Sequence, residues 1–479
     1  MDMKKEEKKK NISKGKIFLR YISFCLVLIS VLAFGLIYFI GVIPNELFWA
    51  LLVTTSIVDL ILIAMMLANG VVKNIVGFIF SILIIVGMVL AINYELNTLD
   101  FFKLFGINNY NTENYSVWVL KNSNYNNIDD LKNQSIGSLK NKSDGLKKAE
   151  EQLQKKVSLS VKDFDNVDKL MDNVDSKNVD AMILEQAQID LLTEQSNDAM
   201  DNYKKIYDFS VNVNVEKNTK SVDVTKDSFN ILVSGIDTYG SINNVSRSDV
   251  NLIITVNPNT NEILLTSIPR DYYVTLDKFN QKDKLTHAGI YGIDCSVNTI
   301  ENLLNVDLNY YYKVNFTSLI SIVDELGGIE VYSDTAFTTI DGNHFIKGMN
   351  KLDGKKALAF SRERKSFVAG DRKRIQNQQV VLEAIIKKSM TPNIITKYNS
   401  LLNDMKGKFI TNMDTKSLTG FIKSQMNESD SWNIKSNSLD GENAYMTTYS
   451  YPKTKLYVMI PNEDTVTKAT DLIKSTLKK

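Results

Sequence analysis

Three long apolar segments, Ile17–Ile40, Glu46–Ala68 and Ile75–Ile92, follow one another before residue 93, and no comparable run occurs afterwards. At a helical rise of 1.5 Å per residue the first covers about 36 Å and the third about 27 Å, enough for a hydrocarbon core of roughly 30 Å. A cleaved leader would end in small residues and would not be followed by two further apolar runs, so three membrane-spanning helices are expected. The flanks set their orientation. Lys4, Lys5, Lys8, Lys9, Lys10, Lys14 and Lys16 precede the first segment, the first loop has no basic residue, and the second has Lys73. The excess of lysine before Ile17 keeps that end inside the cell. Residues 1–16 then form a basic cytoplasmic tail, and everything after the third helix lies outside. Asp59, within the second segment, is costly in lipid and implies either a functional role or a helix-packing one.

The remainder reads as soluble protein, about three structural units in all for 479 residues. Lys and Arg total 56 against 55 acidic residues, so the average charge hides any local field. Cys25 and Cys295 fall in different compartments, which excludes a disulfide framework or thiolate zinc site. His287 and His344 have no metal-ligand spacing, which argues against a histidine-zinc enzyme or a serine-hydrolase triad.

Residues 107–218 are expected to form a small α/β accessory domain. Ser116–Leu120 reads as a strand, 127–139 as turn, short helix and strand, Gly145–Lys156 as a helix, Val157–Val161 as a strand, Val167–Met171 as a helix and Ala181–Leu184 as a strand. This βαβαβ order resembles one lobe of a two-lobed solute-binding protein, with an interaction or spacer role as the plainer reading. The alternating stretch Val211–Thr225 is expected to connect it to a second α/β domain, residues 223–479. There, strands are expected at Phe229–Ile236, Val250–Asn257, Ile263–Ile268 and Ile329–Tyr332, and helices at Ala288–Leu304 and Phe316–Leu326, the latter stopped by Gly327-Gly328. Strands alternating with helices imply a sheet sandwiched by helices.

The informative feature is where arginine falls. Asp237 ends the first of these strands, Arg247 and Asp249 follow in the next loop, and Arg270 directly follows the third strand. The run Phe360–Lys365 (FSRERK) is read as strand-like, which would put Arg362 and Arg364 on one face. Arg372 and Arg374 come after a Gly370-Asp371 turn, and Gln378 and Gln379 are expected to open a helix. From Arg362 to Arg374 there are six basic residues against two acidic ones. Guanidinium forks converge in this way to hold phosphate oxygens, although a lone Arg-Glu-Arg is more often a solvated face.

These blocks resemble the LytR-CpsA-Psr family: ILVSGID with RSD at 247–249, LLTSIPRDYYV, KLTHAGIYG, VDELGGIEV, GMNKLDGKKALAFSRERK and GDRKRIQNQQ, in that order. Three membrane helices and an accessory domain resemble its capsule-biosynthesis branch. The resemblance implies a Mg²⁺-dependent extracellular phosphotransferase, with Mn²⁺ as a substitute and pyrophosphatase as a side activity. It would move capsular or wall polysaccharide from a polyprenyl-pyrophosphate carrier onto peptidoglycan. It implies Asp237 and Asp249 as metal ligands. Arg247, Arg270, Arg362, Arg364 and Arg374 would neutralise the pyrophosphate, joined in substrate binding by Arg372 and Gln378. The general base stays open between Asp371 and Asp237. Membrane lipid and other capsule-assembly membrane proteins are the further expected partners, and nucleic acid is not one. Asn377 departs from the basic residue many members carry. Val380, Val381, Ala384 and Ile385 would line an isoprenoid groove or belong to the core. Two other readings stand beside transfer: a membrane-bound envelope regulator, and a polyprenyl-phosphate binding protein without turnover.

Overall fold

The computed structural model describes residues 14–478 except 42, 44, 105–109, 141, 197, 215–219, 369, 390–406 and 428–431. The basic tail up to Ser13 therefore lies outside the described residues. The chain divides into two compact units, 1–103 with 415–430, and 104–414 with 431–479.

In the first unit, α1 (Lys14–Ile40), α2 (Asn45–Leu67) and α3 (Val71–Leu104) are helices, each long and apolar enough to cross a membrane. The third continues past the expected end at Ile92 because Asn93-Tyr94-Glu95 contains no helix breaker. Asp59 is buried and accepts a hydrogen bond from Ser30 Oγ at 2.8 Å, which satisfies one oxygen between helices.

The second unit begins with a five-stranded sheet, β1 (Tyr110–Leu120), β2 (Ser135–Leu139), β3 (Ser160–Phe164), β4 (Ala181–Glu185) and β5 (Tyr203–Asn214), ordered β3-β2-β4-β1-β5. Strands β2, β3 and β4 run parallel, joined by α4 (Asp144–Lys156) and α5 (Val167–Asp175), and α6 (Gln186–Gln195) follows β4. Ala181 and Ile183 pack into one apolar layer while Met182 and Leu184 pack into the opposite one, as expected of a strand covered on both faces. Three expectations are corrected. Val157 caps α4 by donating its N–H to Leu153 O, so the strand starts later, at Ser160. Helix α6 was not anticipated. Val211–Asn214 is not a connector: it ends β5, where Val211 and Val213 pair with Glu113 and Asn111 of β1.

The second sheet is mixed. Strands β6 (Phe229–Ile236), β7 (Ser248–Asn257) and β8 (Glu262–Ile268) form an antiparallel meander. A hairpin of β9 (Tyr273–Leu276) and β10 (Gln281–Lys284) leads through the single turn α7 (Leu285–Ala288) to α8 (Ile293–Leu304). Next come β11 (Tyr310–Val314), α9 (Phe316–Glu325), β12 (Ile329–Ser333), the short β13 (Phe337–Thr338) and β14 (His344–Phe345), and β15 (Gly348–Leu352). Then follow α10 (Gly354–Arg362), α11 (Asp371–Ser389), β16 (Ile410–Thr411), α12 (Thr415–Asn427), β17 (Asn433–Ser438), β18 (Gly441–Met446), β19 (Leu456–Pro461) and α13 (Glu463–Leu477); α12 belongs to the first unit. The order β16-β11-β6-β7-β8-β17 puts parallel pairs at β6–β11 and β8–β17. One face buries Leu232, Ile253 and Leu264 with Ile300 of α8 and Ile473 of α13; the other packs Leu252, Ile263 and Leu265 against Leu382 and Ile386 of α11. Helix α9 stops where expected, with Gly327 and Gly328 at φ +76° and +85°.

Two further expectations fail beside the site. Phe360–Arg362 is not strand but the last turn of α10, because Phe360 buries completely against Phe337 and Phe345. Helix α11 opens at Asp371, not at Gln378.

Candidate functional site

Antiparallel pairing explains why distant residues meet. Ile236 at the end of β6 lies opposite Ser248 at the start of β7, and Asn251 of β7 lies opposite Ile268 at the end of β8. Asp237, Arg247, Asp249 and Arg270 therefore gather at one end of the meander. Asp249 is the most enclosed: its Oδ2 accepts from Arg270 Nη1 at 2.9 Å and its Oδ1 from Thr286 Oγ1 at 2.9 Å. Arg270 Nε lies 3.6 Å from Asp271, whose other oxygen is 2.7 Å from the Lys284 ammonium. Burial alone would raise the Asp249 pKa, but Arg270, then Arg247, Thr286 and Arg374, hold the carboxyl below the ordinary range. Asp237 goes the other way: burial, then the neighbouring Asp249 charge, lift it above the ordinary range against the pull of Arg362 and Arg247. The two carboxylates thus share one small volume and resist double ionisation.

Arg362 reaches the pair from the end of α10. Its guanidinium is 3.4 Å from Asp237 Oδ1 and stacks 4.2 Å over the Phe316 ring, which in turn meets Tyr239 edge-on. A planar cation held by an aromatic face keeps its remaining donors directed outward. Arg364 is exposed, and together with Arg362, Lys355 and Lys365 it lines a cavity of about 570 Å³ whose apolar side is Ile320, Ile340 and Leu358. Arg374 is buried on α11 and acts on Asp249 electrostatically.

Arg372 is exposed and pairs with Asp440 at 2.8 Å, donating also to Gly441 O. Gln378 is half-buried, while its neighbours Asn377 and Gln379 donate to Phe360 O and Asn437 O. Asn377 thus ties α11 to α10 instead of supplying charge. The Asp371 side chain lies outside the described residues. Val381 is buried in the core under the β12–β15 hairpin, with Val380, Ala384 and Ile385 against it.

Sequence reasoning missed Thr286, Lys284, Asp271 and Phe316. The first two stand in the quoted KLTHAGIYG block, where a hydroxyl and a cation beside buried carboxylates were the available signal. Behind them Asp283 is fully buried, 2.6 Å from His287 Nδ1, and accepts from Ser450 N and Oγ at 2.9 and 2.5 Å. This anchors the turn that carries Thr286.

Fold and site together define an α/β domain that collects guanidinium groups around a carboxylate pair at the strand ends. The LytR_cpsA_psr family model matches residues 193–464, more than half of the sequence, and the chain belongs to that family. It is 41% identical over 199 residues to the polyisoprenyl-teichoic acid–peptidoglycan teichoic acid transferase TagU of Bacillus anthracis, covering 41% of this chain and 63% of that relative's length. The Bacillus subtilis enzyme of the same name is 38% identical over 200 residues, 41% of this chain and 64% of its own. Among solved structures, B. subtilis TagU aligns with 32% identity and a TM-score of 0.42, over 53% of this chain and 98% of that one. TagT bound to LIIa-WTA aligns with 29% identity and a TM-score of 0.44, over 55% and 95%.

Proposed function

We propose that this protein transfers a wall glycopolymer, capsular polysaccharide included, from a polyprenyl-pyrophosphate carrier to a peptidoglycan hydroxyl. The convergence of Arg247, Arg270, Arg362 and Arg374 on Asp237 and Asp249 carries this reading. The relatives named as polyisoprenyl-teichoic acid–peptidoglycan transferases support it. The acceptor oxygen attacks phosphorus, the bond to the polyprenyl phosphate breaks, and the acceptor proton is released. Phosphoryl transfer asks of a protein mainly positioning and charge stabilisation, which guanidinium forks supply. Arg362, fixed by Phe316, orients the phosphate, and Arg270, fixed by Asp249 and Asp271, meets the charge that develops on it. In this reading the three helices anchor the chain, residues 1–16 stay cytoplasmic, and the second unit faces the wall.

Two neighbouring carboxylates among cations, one held above its ordinary pKa by burial and then by the charge of the other, fit a hard divalent cation. Asp237 and Asp249 would hold Mg²⁺, which neutralises phosphate charge when bound. The proton on Asp237 competes with that cation. Mn²⁺ affinity is therefore expected to rise by up to about tenfold per pH unit below the raised Asp237 pKa and to level off above it. Calorimetric titration of the full chain from the ordinary carboxylate range at about pH 4 up to neutral pH tests this, and an affinity that is unchanged in Asp237→Asn at every pH sinks the assignment.

The function itself is tested in cells whose polymer-synthesis genes are under a constitutive promoter. With Arg362→Ala, polymer released to the medium is expected to rise severalfold relative to polymer bound to peptidoglycan. An unchanged ratio would favour the regulator or the binding protein.

A further inference from the structure

The parallel strands β3-β2-β4 of the accessory sheet end at a depression, and the family domain supplies its other wall. Between them lies a cleft of about 850 Å³, within the roughly 300–1,000 Å³ range of small-ligand sites. Its first wall is the carboxyl-end edge of the parallel strands: Lys140 after β2, Asp165 and Asn166 after β3, and Glu185 at the end of β4. Open α/β sheets hold ligands at this edge, where helices begin and N–H groups point outward. Ser143 and Asn166 cap α4 and α5 there.

The opposite wall is aromatic. Phe279 and Tyr449 stack with ring centroids 4.4 Å apart, and Tyr291 meets Phe279 edge-on at 4.6 Å. The Tyr291 hydroxyl is 2.9 Å from Ser450 Oγ. The walls are fastened to each other beside the cleft. Ala187 and Leu191 of α6 bury against Ile290 and Tyr451, Thr112 N donates to Asn243 O at 2.9 Å, and Lys453 pairs with Asp168 at 3.4 Å.

The charges in the lining select against an ionic ligand. Lys142 is paired with Glu150 and Asp163, Lys147 with Asp144, and Asp165 with Lys169. An anion would face Asp163, Asp165, Asp168 and Glu185, and a cation would face Lys140, Lys147, Lys278 and Lys453. What suits aromatic faces opposite amide, hydroxyl and carboxylate groups is a sugar ring. Its weakly positive C–H face lies on the electron-rich ring, and its hydroxyls reach the polar edge.

We propose that this interdomain cleft binds a short neutral saccharide. Binding in this cleft is independent of the transfer reaction. The test uses the full chain in lipid nanodiscs, free of sugar-headed detergent, titrated calorimetrically with N-acetylglucosamine tetramer, maltotetraose, alanine and inorganic phosphate. The two tetramers distinguish a wall-type amino sugar from a plain glucan. One of them is expected to saturate. Tyr449→Ala and Phe279→Ala should each weaken it by about tenfold, with Tyr449→Phe retaining binding and Arg270→Ala leaving it unchanged. Circular dichroism confirms that each variant folds. Lack of saturation by either tetramer, saturation by alanine or phosphate at the cleft, or sugar binding that Arg270→Ala abolishes and Tyr449→Ala spares would each overturn the proposal.

Discussion

Replacing Asp249 with alanine is expected to lower glycopolymer transfer by about a thousandfold or more, the largest effect of any single change at the site. The carboxylate sits inside the cationic cluster and accepts from both Arg270 and Thr286 at 2.9 Å. Its removal leaves the Arg270 fork without its main positioning partner and takes away one of the two carboxylates that would hold a cation. Breaking a buried charge pair also costs about 3–5 kcal/mol of stability, so alanine alone confounds folding with chemistry. Asp249→Asn separates them, because the amide keeps the shape and an oxygen for Thr286 while losing the charge. The asparagine protein is expected to lose stability, though less than the alanine protein because shape and the Thr286 contact remain, to stay folded at the assay temperature and still to be inactive. Since Asp249 has a depressed folded pKa, its ion-pair contribution is present across neutral pH and is lost only as pH falls through that value. A wild-type rate in a folded Asp249→Asn protein would remove this residue from the chemistry.

The second large effect is expected at Arg270. Its guanidinium is mostly enclosed, bonded to Asp249 and set beside Asp271. Removing it should cost about 3–4 kcal/mol of transition-state stabilisation, roughly 10²- to 10³-fold in rate. Lysine should rescue poorly, since a single ammonium cannot hold Asp249 and face a phosphate together. Arg372→Ala serves as the comparison. That side chain is half exposed in a surface pair with Asp440, where loss is worth about 0–1 kcal/mol. Equal rate losses for the two arginines would mean that net charge, and not the strand-end geometry, is what the site uses.

Much of this was legible in the sequence where the signal was local. Hydropathy alone marks three segments, since a run of twenty apolar residues has few soluble solutions. Strand β6 has both its ends where expected because the β-forming stretch around Ile231–Val233 is bracketed by Asp227-Ser228 and Asp237. The stop after α9 followed from two glycines able to adopt positive φ. The arginine and carboxylate positions relative to the strand ends could be listed without coordinates, because local residue pattern marks the strands; that these ends meet is set by the antiparallel pairing.

What the sequence could not specify depended on partners far along the chain. FSRERK alternates well enough for a strand, and it ends a helix because Phe360 finds Phe337 and Phe345 to bury against. Thr286 and Phe316 became site neighbours only when a hairpin turn and a helix start closed over the strand ends. The basic run from Arg362 to Arg374 was divided in the same way, Arg362 and Arg374 facing the carboxylates while Arg372 was drawn to Asp440. The sequence by itself determined the three apolar helices, the positions of the meander's strands along the chain and the residue types at the site. The tertiary structure alone decided which arginines share it and what faces the accessory sheet, because packing between remote segments, and not local periodicity, sets where a long side chain ends.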